Sequence, residues 1–157
     1  MSQRTDFLAA RLRDENAALV AFFAALAPEQ WRTPIYAEGP IWTAKDVLAH
    51  LVSAERGLTA MIADVINGGP GVAADFDYNA YNAVEVAALA DRNPADLLAD
   101  FHAARGELIA LVEQLGDADL DRHGRHPALG EVTLEAYIKA VYQHAKIHVR
   151  DVKRGLA

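Results

Sequence analysis

Three histidines have the spacing and the surroundings of metal ligands. His144 and His148 lie four residues apart in a segment with helical periodicity, which places their Cβ atoms about 5–6 Å apart on one helix face. His50 lies at the border of the apolar stripe of an earlier segment and would meet them if the two segments pack together. Three neutral imidazoles that leave a coordination position open let a divalent metal bind water or substrate. The alternative is that these border histidines only hydrogen-bond to carbonyls.

The chain contains no cysteine. This excludes disulfides, thiolate metal sites and a cysteine nucleophile, so metal ligands must be His, Asp or Glu. A thiolate used in a reaction would have to arrive as part of a cosubstrate.

Other candidate site residues surround the predicted ligands. A ligating histidine usually gives its second N–H to a carboxylate or a carbonyl, and Glu55 and Asp151 are placed to take this role or to transfer a proton. Each could equally be a solvated surface acid. Tyr81 and Asn82 could line the mouth of a substrate pocket, or the tyrosine could simply pack within its helix.

Arg105 projects from the middle of the apolar stripe of its helix. A buried charge costs several kcal/mol unless it is paired. Snorkelling of the side chain to the surface or a structural partner such as Glu15 would explain this position, and binding of an anionic substrate is the alternative. His123 and His126 fall in a polar stretch and are predicted to be loose surface histidines.

Four long segments with helical periodicity must position these residues. They cover residues 5–26, 44–66, 94–115 and 134–154, with Thr43, Asn93 and Thr133 as candidate caps before the last three. A shorter helix is predicted over residues 78–89, and a polar loop without strands over 117–131. We therefore expect an all-α fold, a four-helix bundle forming a single domain over residues 1–157, with a longer crossover that contains the short extra helix.

Charge and hydropathy narrow the range of partners. A formal net charge of −7 and the lack of a Lys/Arg cluster disfavour nucleic acid, because electrostatic binding of a phosphate backbone needs clustered cations. No stretch approaches the roughly 20 apolar residues of a membrane span. We expect a cytoplasmic protein that acts on a small molecule.

Two stretches carry a resemblance to a known family. Residues 42–51 (WTAKDVLAHL) and 143–151 (QHAKIHVRD), supported by 77–82 (DYNAYN) and 93–98 (NPADLL), resemble the DinB/YfiT-like metal-binding bundle superfamily. This superfamily includes the metal-binding domain of mycothiol-dependent maleylpyruvate isomerases. The resemblance covers nearly the whole chain and implies a bundle in which His50, His144 and His148 bind zinc, nickel or a similar divalent ion.

The resemblance also implies a reaction class. It points to a metal-dependent transferase or isomerase that uses a low-molecular-weight thiol of the mycothiol or bacillithiol type on a small electrophilic substrate, and to a homodimer. In the isomerase branch the first ligand of the last helix is typically Glu, and here it is His144, which favours the broader thiol-transferase-like members. The alternatives are a metal-dependent hydrolase and a non-catalytic small-molecule-binding or stress-response bundle.

Overall fold

The computed structural model describes residues 2–157. Each of its four long helices begins after a residue whose side chain caps the helix. Helix α1 (Gln3–Ala24) starts after Ser2, whose side chain accepts a hydrogen bond from the backbone N–H of Thr5. Helix α2 (Ala44–Ile66) opens with the reciprocal capping box of Thr43 and Asp46. The remaining long helices, α4 (Pro94–Val112) and α6 (Leu134–Leu156), follow the caps Asn93 and Thr133. The predicted starts of these last three helices agree with the structure, because side-chain caps satisfy the first free N–H groups.

The four long helices form the predicted four-helix bundle. Helices α1 and α2 each pack against both α4 and α6, so α2 lies directly beside α6. The crossover between α2 and α4 contains the shorter helix α3 (Tyr78–Ala88), as predicted, and α3 packs against α2. Within residues 2–157, no helix is both long enough and apolar enough to cross a bilayer.

The segment between α4 and α6 differs from the prediction of a polar loop. It contains the short helix α5 (Asp117–Leu120) and an antiparallel hairpin of β1 (His123–His126) and β2 (Gly130–Thr133). The strands have four residues each and are largely polar, so they lack the apolar alternation by which a strand is recognised in a sequence.

Two interactions fix the hairpin on the bundle. Gly124 lies directly against the side chain of Val65, where a Cβ would clash. The backbone of Arg125 donates to the carbonyl of Pro70 at 2.8 Å and accepts from the N–H of Val72 at 3.1 Å. The hairpin is therefore tied to the loop that follows α2, and this places its turn beside the site described next.

Candidate metal centre

The three predicted ligands come together between α2 and α6. His50 lies in the second turn of α2, and His144 and His148 lie one turn apart near the middle of α6. The Nε2 atom of His144 is 3.1 Å from Nε2 of His50 and 3.1 Å from Nε2 of His148. One nitrogen from each ring lies within 4.8 Å of the others, and the group could hold a metal ion.

The contacts around Nε2 of His144 fit a cation better than a proton. A ring nitrogen offers one hydrogen-bonding direction in the ring plane, either an N–H or a lone pair. A proton can therefore join His144 to only one of its two neighbours, whereas an ion can accept lone pairs from all three rings. In a tetrahedral zinc site, ligand nitrogens are about 3.3–3.4 Å apart, which is close to the 3.1 Å separations found here. The donor set thus fits a divalent ion.

Burial keeps the three rings in the neutral form that binds metal. Burial, with a smaller effect of His148, lowers the pKa of His50 to about 3. Burial and the neighbouring histidines lower the pKa of His144 to about 3 as well. Burial also lowers the pKa of His148, although Asp151 opposes the shift. At neutral pH, metal binding therefore does not have to displace protons from these rings.

These shifts predict that the metal-free protein loses stability as the pH falls below about 6.5. Histidines of the unfolded chain take up protons near that pH, whereas His50 and His144 remain neutral in the folded state down to about pH 3. Each ring is then expected to lower the free energy of unfolding by about 1.4 kcal/mol per pH unit below 6.5. Urea unfolding with a chelator between about pH 6.5 and 4.5 measures this slope.

His50→Gln is the control for the pH prediction. Glutamine does not titrate, so the variant should lose about 1.4 kcal/mol per pH unit of the slope. A slope identical to that of the wild type would show that His50 does not contribute in this way.

A hydrogen-bond chain orients His148. The hydroxyl of Tyr36 lies 2.6 Å from Nδ1 of His148 and donates to Oδ2 of Asp151 at 2.9 Å. Because the single phenolic proton goes to Asp151, the hydroxyl oxygen accepts the Nδ1–H of His148. This tautomer leaves the lone pair of His148 on Nε2, facing the other two rings. Asp151 thus acts on the histidine through Tyr36.

Tyr36 carries no signal of its role in the sequence, because it lies in an irregular loop. The loop is held against the start of α2 by the bridge between Pro34 and Thr43, next to which the N–H of Ile35 donates to the carbonyl of Trp42 at 2.8 Å. This pairing between the two ends of the loop brings Tyr36 to the histidines. Short isolated bridges leave no periodic signal in a sequence.

Tyr36→Phe is expected to weaken zinc binding about 10-fold, because loss of an outer-shell hydrogen bond typically costs 10- to 100-fold in metal affinity. A titration in competition with a chromogenic chelator measures this affinity. Tyr142→Phe changes a buried tyrosine of α6 that does not line the cavity. It is the matched control and should bind zinc as the wild type does. Equal affinities of Tyr36→Phe and wild type would exclude an orienting role for Tyr36.

Packing fixes the ring of His50. The ring lies against Trp42 with centroids 4.9 Å apart, and its Nδ1 atom is buried without a hydrogen-bond partner among residues 2–157. The side chain is 4% exposed. His50 is therefore positioned by packing against residues such as Trp42, whereas His148 is oriented by the hydrogen bond between its Nδ1 and Tyr36.

A cavity of about 560 Å³ opens beside the histidines, and all three form part of its wall. Tyr81 and Asn82, the predicted pocket residues of α3, also line it. A cavity of this size is in the range of small-molecule sites. The candidate ligands are thus accessible from a space that could receive a substrate.

Arg105 and Glu55 do not reach this cavity. They are 0% and 2% exposed and form a buried ion pair in which Nη2 of Arg105 donates to Oε2 of Glu55 at 3.1 Å and Nε donates to Oε1. Nη1 of Arg105 donates to the carbonyl of Leu12 at 3.2 Å. The structure therefore corrects the expectations of substrate binding by Arg105 and of a role for Glu55 beside a histidine. The structural partner of Arg105 is Glu55, not Glu15.

His126 is a cavity residue that sequence analysis placed on the surface. It is half-buried and lines the cavity, and burial lowers its pKa. Its Nδ1 atom accepts hydrogen bonds from the backbone N–H groups of Ala128 and Leu129 at 3.0 and 3.1 Å. The proton of the neutral ring is therefore on Nε2. His123, its neighbour in the hairpin, is exposed as expected.

A four-helix bundle with three converging histidines between α2 and α6 defines the class of this protein, the DinB/YfiT-like superfamily. The sequence model of the mycothiol maleylpyruvate isomerase N-terminal domain matches residues 12–153. The chain belongs to this family. None of the curated proteins compared with it matches significantly.

Solved structures share the fold. YfiT from Bacillus subtilis, described as a probable metal-dependent hydrolase with an unusual four-helix bundle topology, is 21% identical with a TM-score of 0.79, over 99% of this chain and 87% of YfiT. A mycothiol-dependent maleylpyruvate isomerase is 13% identical with a TM-score of 0.77, over 97% of this chain and 63% of the isomerase. TT2238, a four-helix bundle protein, is 18% identical with a TM-score of 0.69, over 96% and 98%. At these identities the likeness shows the fold, and this chain spans less than two thirds of the isomerase.

Proposed function

We propose that this protein is a metal-dependent transferase or isomerase that uses a low-molecular-weight thiol of the mycothiol or bacillithiol type on a small electrophilic substrate. The observation that carries the proposal is the convergence of Nε2 atoms from His50, His144 and His148 in the wall of an open cavity. Membership of a family named for a mycothiol-dependent isomerase supports the use of a thiol. The chain has no cysteine, so the thiol would be a cosubstrate.

The residues of the site have separate roles in this proposal. A divalent ion bound there would supply Lewis-acid chemistry that lowers the pKa of a coordinating thiol or water. The three histidines would hold the ion, and an imidazole donor set suits zinc and nickel. Tyr36 and Asp151 keep Nε2 of His148 directed at the ion's position. The cavity walls hold the electrophile next to the triad.

A metal-dependent hydrolase is the second candidate. The description of YfiT as a probable metal-dependent hydrolase favours it, because the fold match covers 99% of this chain. An ion held by the same histidines would then lower the pKa of a bound water in place of that of a thiol. The two functions differ in whether a thiol is needed for turnover.

Turnover assays on the zinc- and nickel-loaded protein test the two candidates. With monobromobimane and mycothiol or bacillithiol, the sulfur forms a bond to the bimane carbon and bromide leaves with the electrons of the broken C–Br bond. We expect a metal-dependent increase over the uncatalysed rate that His148→Ala abolishes. A nitrophenyl ester is the hydrolytic probe, since water cleaves its ester C–O bond. If the metal-loaded protein cleaves the ester without a thiol and does not accelerate the bimane reaction, the hydrolase replaces the thiol-dependent enzyme as the proposed function.

A further inference from the structure

The wall of the cavity is rich in aromatic and apolar side chains. Most of these residues lie in the loop before α2, on α2 and in the crossover that leads into α3. The prominent ones are Tyr36, Trp42, Met61, Phe76, Tyr78 and Tyr81. Surfaces of this kind bind rings and hydrocarbon groups by excluding water from them.

The cavity offers no cationic side chain. Among residues 2–157, no lysine or arginine lines it. Arg105, which is fully buried, is paired with Glu55 outside the cavity. The acid of the lining, Glu38, adds negative charge at an exposed position. A carboxylate of the substrate that does not bind the metal would thus lose its hydration without finding a cationic partner, which is costly.

The polar groups of the wall fit a neutral substrate. Backbone N–H groups of the hairpin turn donate to Nδ1 of His126. The proton of the neutral ring is therefore on Nε2, which can donate to a substrate. Asn79 and Asn82 add uncharged amides. Groups of this kind can bind a carbonyl, ether or hydroxyl oxygen without requiring a charge on it.

We propose that the cavity selects a neutral, ring-containing electrophile with one metal-ligating end, and that it disfavours electrophiles that carry two or more negative charges. The inference rests on the proposed function, because the substrate's ligating end would bind the metal at the triad. It extends that function by naming the chemical class of the substrate. The formal net charge of −7 acts in the same direction by repelling anions.

A matched pair of metal-binding probes tests this selectivity. Benzohydroxamic acid and its para-carboxylate share the ring and the ligating group and differ in one negative charge. Calorimetric titration of the zinc-loaded protein should give a dissociation constant at least about 10-fold lower for benzohydroxamic acid, equivalent to about 1.4 kcal/mol. Equal affinities, or tighter binding of the carboxylate, would overturn the inference.

A cation added to the wall should reverse the preference. Asn82→Arg places a guanidinium in the half-buried lining of the cavity and should improve the affinity for the carboxylate probe about 10-fold. Gln143→Arg adds the same charge at an exposed position of α6 outside this cavity, and screening should limit its effect to less than about 2-fold. Equal effects of both variants would attribute the selectivity to net charge and overturn the assignment to the cavity.

The outcomes separate this inference from the function on which it rests. Zinc binding with no discrimination between the probes overturns the substrate class alone. Failure of the protein to bind zinc, or of the zinc-loaded protein to bind either hydroxamate, overturns both the substrate class and the proposed open metal site.

Discussion

His148→Ala is expected to weaken zinc binding by at least about 100-fold. The variant removes one of three nitrogen ligands, and even the loss of an outer-shell partner of a ligand typically costs 10- to 100-fold. It also leaves Tyr36 without the Nδ1–H of His148. The affinity can be measured in competition with a chromogenic chelator, with circular dichroism to establish that the variant is folded.

His123→Ala is the matched control for this variant. His123 is exposed in β1 and is not among the converging histidines, so its loss should leave zinc affinity unchanged. Wild-type affinity in His148→Ala would contradict the assignment of His148 as a ligand. Weakened binding in both variants would point to nonspecific binding by surface histidines.

Glu55→Leu is expected to lower the free energy of unfolding by about 3–5 kcal/mol, the typical cost of breaking a buried ion pair by removing one partner. The guanidinium of Arg105 would remain fully buried without its carboxylate, and arginine cannot discharge by losing its proton. Urea unfolding of the metal-free protein measures the loss. Arg13→Met, which breaks the exposed pair with Glu113, should cost less than about 1 kcal/mol.

The other half of the pair should respond to pH. In Arg105→Met the carboxyl of Glu55 loses its partner, and burial already raises the pKa of this group. It can take up a proton and become neutral, so relative to wild type Arg105→Met should cost less as the pH is lowered. In Glu55→Leu the remaining buried group is Arg105, which cannot become neutral in this pH range, so its cost should not fall in the same way.

The double variant completes the test of the buried pair. Glu55→Leu with Arg105→Met removes both charges and should recover much of the loss, because apolar residues often replace a buried pair at little cost. Additive losses in the double variant would show that the two residues stabilise the fold independently.

The long helices were predictable from the sequence because each combines an apolar period with a cap. Thr43 with Asp46, Asn93 before Pro94, and Thr133 each satisfy free N–H groups at a helix start. Ser2 does the same for α1 with Thr5, which is why this helix begins two residues before its predicted start.

The hairpin and the role of Tyr36 depend on tertiary contacts. The strand β1 is held by Pro70 and Val72 and by the fit of Gly124 against Val65, and none of these contacts follows from the local pattern. Tyr36 likewise reaches His148 across 112 positions of the chain. Such long-range pairings carry no periodic signal. Because the hairpin that brings His126 to the cavity could not be predicted, the sequence indicated a surface position for this residue.

The sequence indicated that Arg105 needs a partner but did not identify that partner. The position of Arg105 within an apolar stripe indicated that it needs a partner, because a buried unpaired charge is costly. The identity of that partner depends on how α2 and α4 pack, which brings Glu55 to Arg105. The same packing excluded both residues from the cavity.

The central claim is that three imidazoles from two helices hold one ion, and X-ray absorption spectroscopy of the zinc-loaded protein tests it most directly. We predict about one zinc per chain, with three histidine nitrogens at about 2.0–2.1 Å and a further light-atom ligand. In His148→Ala one imidazole contribution should be lost. A chain that takes up no zinc, or a spectrum with fewer than three imidazoles that His148→Ala leaves unchanged, would contradict the account.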